Sequence, residues 1–118
     1  MVSGDGKLLR IFVTESDHYG GLPLYEWIVK KAREEGLAGA TVIRGLEGYG
    51  AHSRLHTAKL LRLSQDLPII IEIVDFSENI DSFLPVIDEA LEEGLVTIES
   101  LQVHFHRIQK SGTGDSNN

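Results

Sequence analysis

Arg54, His56, Lys59 and Arg62 gather in one short stretch, directly after GLEGYG (45–50), in which Gly45, Gly48 and Gly50 surround Tyr49. Guanidinium, ammonium and imidazole groups favour phosphate or carboxylate ligands. Backbone N–H groups left bare by glycine favour them too. From Arg44 to Asp66 four Lys/Arg stand against Glu47 and Asp66, a net of +2 in a chain of −7, so the remainder carries −9. A basic, glycine-rich connection on an acidic body points to an anion site. The glycine spacing is neither a Walker nor a Rossmann fingerprint, because the strand–motif–helix context is missing. Two readings stay open. The glycines form a turn that permits positive φ, or they let the backbone approach a ligand on which Tyr49 stacks. The basic residues likewise fit a solvated face as well as a phosphate site.

Other constellations carry less. Ser53 and His56 are three apart, but no acid orients the histidine, and Ser-x-x-His alone is not a triad. Glu92 and Glu93 fall on a helix surface. No nucleophile, base and oxyanion donor come together, so no catalytic residue is assigned and an enzyme is not expected. His104 and His106 alternate onto one strand face, where two imidazoles could ligate a divalent ion. No third ligand is evident and a polar strand face explains them as well, so no metal site is assigned. Glu15 and Asp17 could hold an arginine of a neighbouring subunit or, more simply, cap a turn. His18 and His52 have no evident partner.

The bulk numbers limit what these residues can serve. The 118 residues make one domain, read as 1–110 with a flexible tail over 111–118 (SGTGDSNN). At 42% hydrophobic and 25% charged the chain can build a core, but with little room for an internal pocket. A ligand site is then a surface cleft or lies between subunits. The negative balance argues against nucleic-acid binding. Zero cysteines exclude disulfides, thiolate catalysis and cysteine zinc sites. No apolar run reaches transmembrane length and MVSGDGKLLR lacks a signal-peptide core, so the expected location is the cytoplasm.

Hydrophobic patterning supplies the elements. Strands are expected over 7–14 (KLLRIFVT), 40–46, 68–74 (PIIIEIV) and about 96–108. Leu24, Trp27, Ile28 and Ala32 mark a first helix that opens near Pro23 and stops at Gly36. Ile80, Phe83, Leu84, Ile87 and Leu91 mark a second. For that helix Ser82 is the expected N-cap, with Pro85 in the first turn and Gly94 at the end. Residues 54–63 read as either a short helix or a strand extension. Glu72 interrupts an apolar strand and must face water or find a partner.

The order strand, helix, strand, strand, helix, strand is the α+β, ferredoxin-like split βαβ pattern (βαββαβ). It implies a four-stranded antiparallel sheet with two helices on one face. The strands hold more apolar residues than one covered face needs, which predicts a partner surface and a homo-oligomer.

The segments ESD (15–17), GLPLYEWIVKKAREEGLAGATVIRGLEGYG (21–50), HSRLHTAKLLRLSQDLPIIIEIVD (52–75) and EEGLVTIESLQV (92–103) resemble an uncharacterised bacterial and archaeal family related to PII signalling proteins. The resemblance runs from about Leu8 to Arg107. It implies a homotrimer whose sheets line the interior, and an adenine nucleotide (ADP, ATP or AMP) in each intersubunit cleft. It also implies that the 45–63 connection, in the place of the PII T-loop, reports the ligand to a membrane transporter or enzyme. The glycine- and lysine-rich phosphate loop of PII proteins is here EEGLVTIES, without lysine. Phosphate contacts therefore fall to Arg44, Arg54, His56 and Arg107, beside Gly45, Gly48, Tyr49 and Gly50. No cofactor is required. The rival readings are a small ferredoxin-like enzyme acting on an anionic metabolite and a metal-responsive trimer that uses the histidines.

Overall fold

In strand β1 (Val2–Thr14) Leu9, Ile11 and Val13 are buried while Leu8, Arg10 and Phe12 are half-buried, so its two faces do different work. The computed structural model describes residues 2–49, 56–57 and 66–106, with backbone only at 56–57. After β1 come β2 (His18–Tyr19), β3 (Leu22–Pro23), α1 (Leu24–Glu34), β4 (Thr41–Arg44), β5 (Glu47–Gly48), β6 (His56–Thr57), β7 (Pro68–Phe76), α2 (Ser77–Ala90) and β8 (Leu95–Phe105). The main sheet is antiparallel in the order β4-β7-β1-β8. The two helices pack on one face of it, giving the expected ferredoxin-like fold.

Register explains the core. Leu9, Ile11 and Val13 lie opposite Ile73, Ile71 and Ile69 of β7. All six are buried against Leu24, Ile28 and Ala32 of α1 and Ile80, Phe83, Ile87 and Ala90 of α2. Burying each such isoleucine or leucine contributes about 1.5–3 kcal/mol. The opposite face has its own apolar row, Ile43–Ile70–Phe12–Leu95, of which Ile43 and Leu95 are well exposed. Next to this row Glu72 finds its partner: Arg10 Nε donates to Glu72 Oε2 at 2.9 Å, and Arg10 Nη1 lies 3.7 Å from Glu99. The Glu72 hydrogen bond, with its charge and that of Glu99, holds the Arg10 pKa above its ordinary value.

Helix α1 ends as read. Gly36 takes φ 84°, its N–H reaches Arg33 O at 3.1 Å, and Leu37 N–H reaches Ala32 O at 3.0 Å. These are the two bonds of a Schellman stop. Helix α2 differs from the reading in three ways. It leaves β7 without a loop, beginning at Ser77, so Ser82 lies inside it and donates from Oγ to Glu78 O. Pro85 therefore sits in the helix body, where the Asp81 carbonyl has no N–H four residues on to accept from. The helix closes at Ala90 with Leu91 as C-cap, and Gly94 instead immediately precedes β8. At φ 142° Gly94 stands so close to β1 that a Cβ there would meet Phe12 O at 2.8 Å.

The early start of α2 has a cause outside the helix. Asp75, at the end of β7, is buried, with only 3% of its surface exposed. Its Oδ1 accepts from Phe76 N–H at 2.6 Å and from Asn79 Nδ2 at 2.9 Å, and its Oδ2 accepts from Ala38 N–H at 2.8 Å. One carboxylate thus sits at the N-terminus of α2, where the helix dipole favours it, and ties down the α1–β4 connection.

Asp75→Ala strands three donors and should cost about 2–4 kcal/mol, while Asp75→Asn, which keeps the shape, should cost less. Urea unfolding of both variants measures this; a loss under 1 kcal/mol for Ala would show that the carboxylate is not the pin. In Gly6→Ala the added Cβ would lie 2.1 Å from Val103 Cγ2 and 2.7 Å from Asp75 O. The same titration should show a loss of about 1–3 kcal/mol from overpacking.

Candidate functional site

The connection from β4 to β7 leaves and re-enters the sheet at adjacent points. Pairing of the two strands ends at Arg44↔Ile69, and Gly45 N–H then donates to Pro68 O at 2.8 Å. The residues that follow β1 hold both stems. Glu15 N–H donates to Leu67 O at 2.9 Å, and Leu67 N–H returns a 3.3 Å bond to Glu15 Oε1. The other carboxylate oxygen of Glu15 pairs with Arg44 Nη2 at 2.5 Å. Ser16 N–H donates to Asp66 Oδ1 at 3.1 Å. Glu15 is largely shielded, at 16% side-chain exposure, whereas Arg44 is 56% exposed. A sheltered carboxylate therefore holds an accessible guanidinium from one stem and a backbone N–H from the other.

The Glu15 turn is itself braced. Asp17 Oδ2 accepts from Thr14 N–H at 2.9 Å, and Asp17 O accepts from Leu24 N–H at 2.7 Å. His18 Nδ1 lies 2.7 Å from Ser16 O, so its donor tautomer has the proton on Nδ1. Asp17 thus follows the simpler reading of a turn-capping residue. Glu15 holds an arginine, but it is one of its own chain. A cleft of about 290 Å³ lies here, lined by Glu15, Ser16, Pro23, Tyr25 and Asp66. Its lining is acidic, so any anion at this end must be met by Arg44 or by cations from elsewhere.

Arg44, Gly45 and Gly48 come together at the stems. A Cβ on Gly45 or Gly48 would lie 2.9 or 3.2 Å from Pro68 Cγ, so these glycines allow the connection to fold against the proline that opens β7. Gly48 pairs with His56 and Glu47 with Thr57, which continues the connection as a small two-stranded ribbon. That pairing gives residues 56–57 the strand alternative of the two that the sequence leaves open. Tyr49 is 72% exposed. Gly50, Arg54 and Arg107 lie outside the described residues, as do Ser53, Lys59 and Arg62. The role of Glu15 toward both stems was not readable from spacing, because its partners Arg44 and Leu67 are brought near only by the fold.

A second cleft, of about 560 Å³, lies at the other end of β7 between Ser3, Gly4, Asp5 and the start of α2. It contains none of the site residues expected from sequence. His104 lies in β8 and His106 just beyond its end, with ring centroids 5.0 Å apart. Among the described residues no three His, Asp or Glu side chains gather closely enough to share a metal ion. Nor, among them, is any helix long and apolar enough to cross a membrane.

Comparison with known proteins agrees with this architecture. The chain is 41% identical over 99 residues to a UPF0166 protein of Aquifex aeolicus, covering 84% of this chain and 93% of that protein. It is 39% identical over 99 residues to a UPF0166 protein of Methanocaldococcus jannaschii, covering 83% and 91%. Among solved structures it resembles CPII, a nitrogen regulatory PII-like protein of Thiomonas intermedia K12, bound to ADP, AMP and bicarbonate. That match has a TM-score of 0.59 at 21% identity and covers 86% of this chain and 91% of that one. The apo form of CPII matches with a TM-score of 0.50, covering 86% and 95%. At that identity the likeness carries the fold. The family model described as Uncharacterized ACR, DUF190, matches residues 6–103, and the chain belongs to that family.

Proposed function

We propose that this chain is a PII-like sensor, a regulator without catalytic activity. In this reading it assembles as a homotrimer and binds an adenine nucleotide in clefts between subunits. The 45–63 connection then reports the nucleotide to a partner such as a membrane transporter or an enzyme. The observation that carries the reading is the double hold of Glu15 on Arg44 and Leu67, at the two stems of that connection. The likeness to CPII, which binds ADP and AMP, supports the choice of ligand.

The hold suggests how binding becomes a signal. Arg44 is exposed enough to be shared. A nucleotide phosphate that bonds to Arg44 competes with Glu15 and weakens one stem contact while leaving the Leu67 contact in place. A ligand shifts a loop only by its difference in affinity between two loop states. Exchange of one charge-assisted partner for another is such a difference. Tyr49, exposed beyond Gly48, is the group to stack on the adenine ring, with Gly45, Gly48 and Gly50 admitting the ligand to the backbone. Arg54, His56 and Arg107 are the further cations for phosphate. The exposed Ile43–Ile70–Phe12–Leu95 row supports assembly through the face that the helices leave open.

Two outcomes are expected. Light scattering on the eluting protein should give a mass near three chains, and a stable monomer at micromolar concentration would sink the intersubunit cleft. In calorimetry on nucleotide-free protein, ATP, ADP or AMP should bind in preference to GTP and pyrophosphate. Arg44→Ala should weaken that binding by about 1–3 kcal/mol, the range for a charge-assisted hydrogen bond, without changing the mass. If no adenine nucleotide binds at millimolar concentration, the sensor reading fails and a protein-binding role for the basic connection replaces it.

A further inference from the structure

The end of β8 carries a feature that the nucleotide reading does not use. His104, near the end of β8, and His106, just beyond it, are both exposed, and their ring centroids stand 5.0 Å apart at an interplanar angle of 67°. In extended chain, residues two apart have Cα atoms roughly 6.5–7 Å apart, so a 5.0 Å centroid separation brings the rings closer than their backbones would be. A metal-bound imidazole nitrogen lies about 2.0–2.1 Å from the ion, which puts each ring centroid roughly 3.2 Å from it. Two such rings at angles between square and tetrahedral have centroids roughly 4.5–5.2 Å apart. The separation in this chain falls inside that window before any ion is present.

We propose that His104 and His106 form a two-imidazole site for a borderline divalent transition-metal ion, with Cu(II) preferred over Zn(II). Mg(II) and Ca(II) are excluded by chemistry, since they take oxygen ligands. The preference for copper follows the general affinity order for nitrogen sites. The described neighbours on β1 and β8 do not compete for the rings. His104 lies opposite Ser3, and the nearby Asp5 carboxylate accepts from Gln102 Nε2 at 2.7 Å. Among the described residues no third His, Asp or Glu joins the pair, and the proposal rests on the two imidazoles alone. The site is also remote from the stems. Ser3, opposite His104, and Thr14, next to Glu15, lie at the two ends of β1, roughly 35 Å apart at the usual rise per strand residue. Within one chain the pair is therefore distant from Arg44.

The test titrates CuCl2 into the purified full chain, free of affinity tags, and reads calorimetry together with electron paramagnetic resonance. One ion per chain is expected at micromolar copper, with hyperfine splitting from two imidazole nitrogens. His104→Ala and His106→Ala should each weaken binding at least tenfold, while His18→Ala and the His52→Ala/His56→Ala double variant should leave it unchanged. Magnesium should give no heat. A spectrum with one or no imidazole nitrogen on the wild type overturns the proposal whatever the variants do. Binding that survives both the His104 and His106 substitutions, or is lost with His52 and His56, overturns it as well.

Discussion

The rest of the molecule depends on the alternation of β1 between β7 and β8. Leu9, Ile11 and Val13 face the helices, and Leu8, Arg10 and Phe12 face the other way. A slip of one residue would put Arg10 under α2 and the buried side chains outside. Ten-fold preferences correspond to about 1.4 kcal/mol, and moving several large apolar side chains out of the core costs many times that. The register is therefore set by burial. With it set, Arg10 must lie between Glu72 and Glu99, and Thr14 must deliver Glu15 to the end of β7.

The two ends of β7 are then secured by carboxylates of different character. At one end buried Asp75 gathers Ala38, Phe76 and Asn79 in a dry place where no competitor reaches it. At the other, Glu15 binds Arg44 and Leu67 near solvent. The first arrangement is costly to break because burial leaves its donors without water. The second is less costly to rearrange, because the Arg44 partner is exposed and solvent can replace it. A fold that needs one rigid end and one adjustable end would be built this way, and the long connection springs from the adjustable one.

Much of this was legible in the sequence. The 3.6 and 2.0 periodicities gave both helices, the four main strands and their order, because burial of one face leaves a direct pattern in residue type. Gly36 as a stop and Glu72 as a residue in need of a partner were readable for the same local reasons. The start of α2 was not. Ser82 has the chemistry of a cap, yet the group at the helix start is a carboxylate from the preceding strand, and no local signal separates the two. Gly94 looked like a helix stop, but its requirement is the closeness of Phe12 O, on a strand more than eighty residues earlier. The Glu15–Arg44 pair was hidden by its separation in sequence, and Gly45 and Gly48 looked free because Pro68 was not yet beside them.

The open face of the sheet shows why patterning alone leaves its partner undetermined. An all-apolar face would accept many surfaces, since burial is not directional. Here the row Ile43–Ile70–Phe12–Leu95 runs beside the row Glu72–Arg10–Thr97, with Glu99 against the same arginine. Covering this face removes one guanidinium and two carboxylates from water, a loss that their mutual attraction does not fully offset. A surface that lays only hydrocarbon over the ion row leaves the second glutamate under-paired. One that brings a donor to Glu99 while matching the apolar row loses nothing comparable. An ion row beside an apolar row thus makes such a face more discriminating than an all-apolar one toward any surface that could cover it.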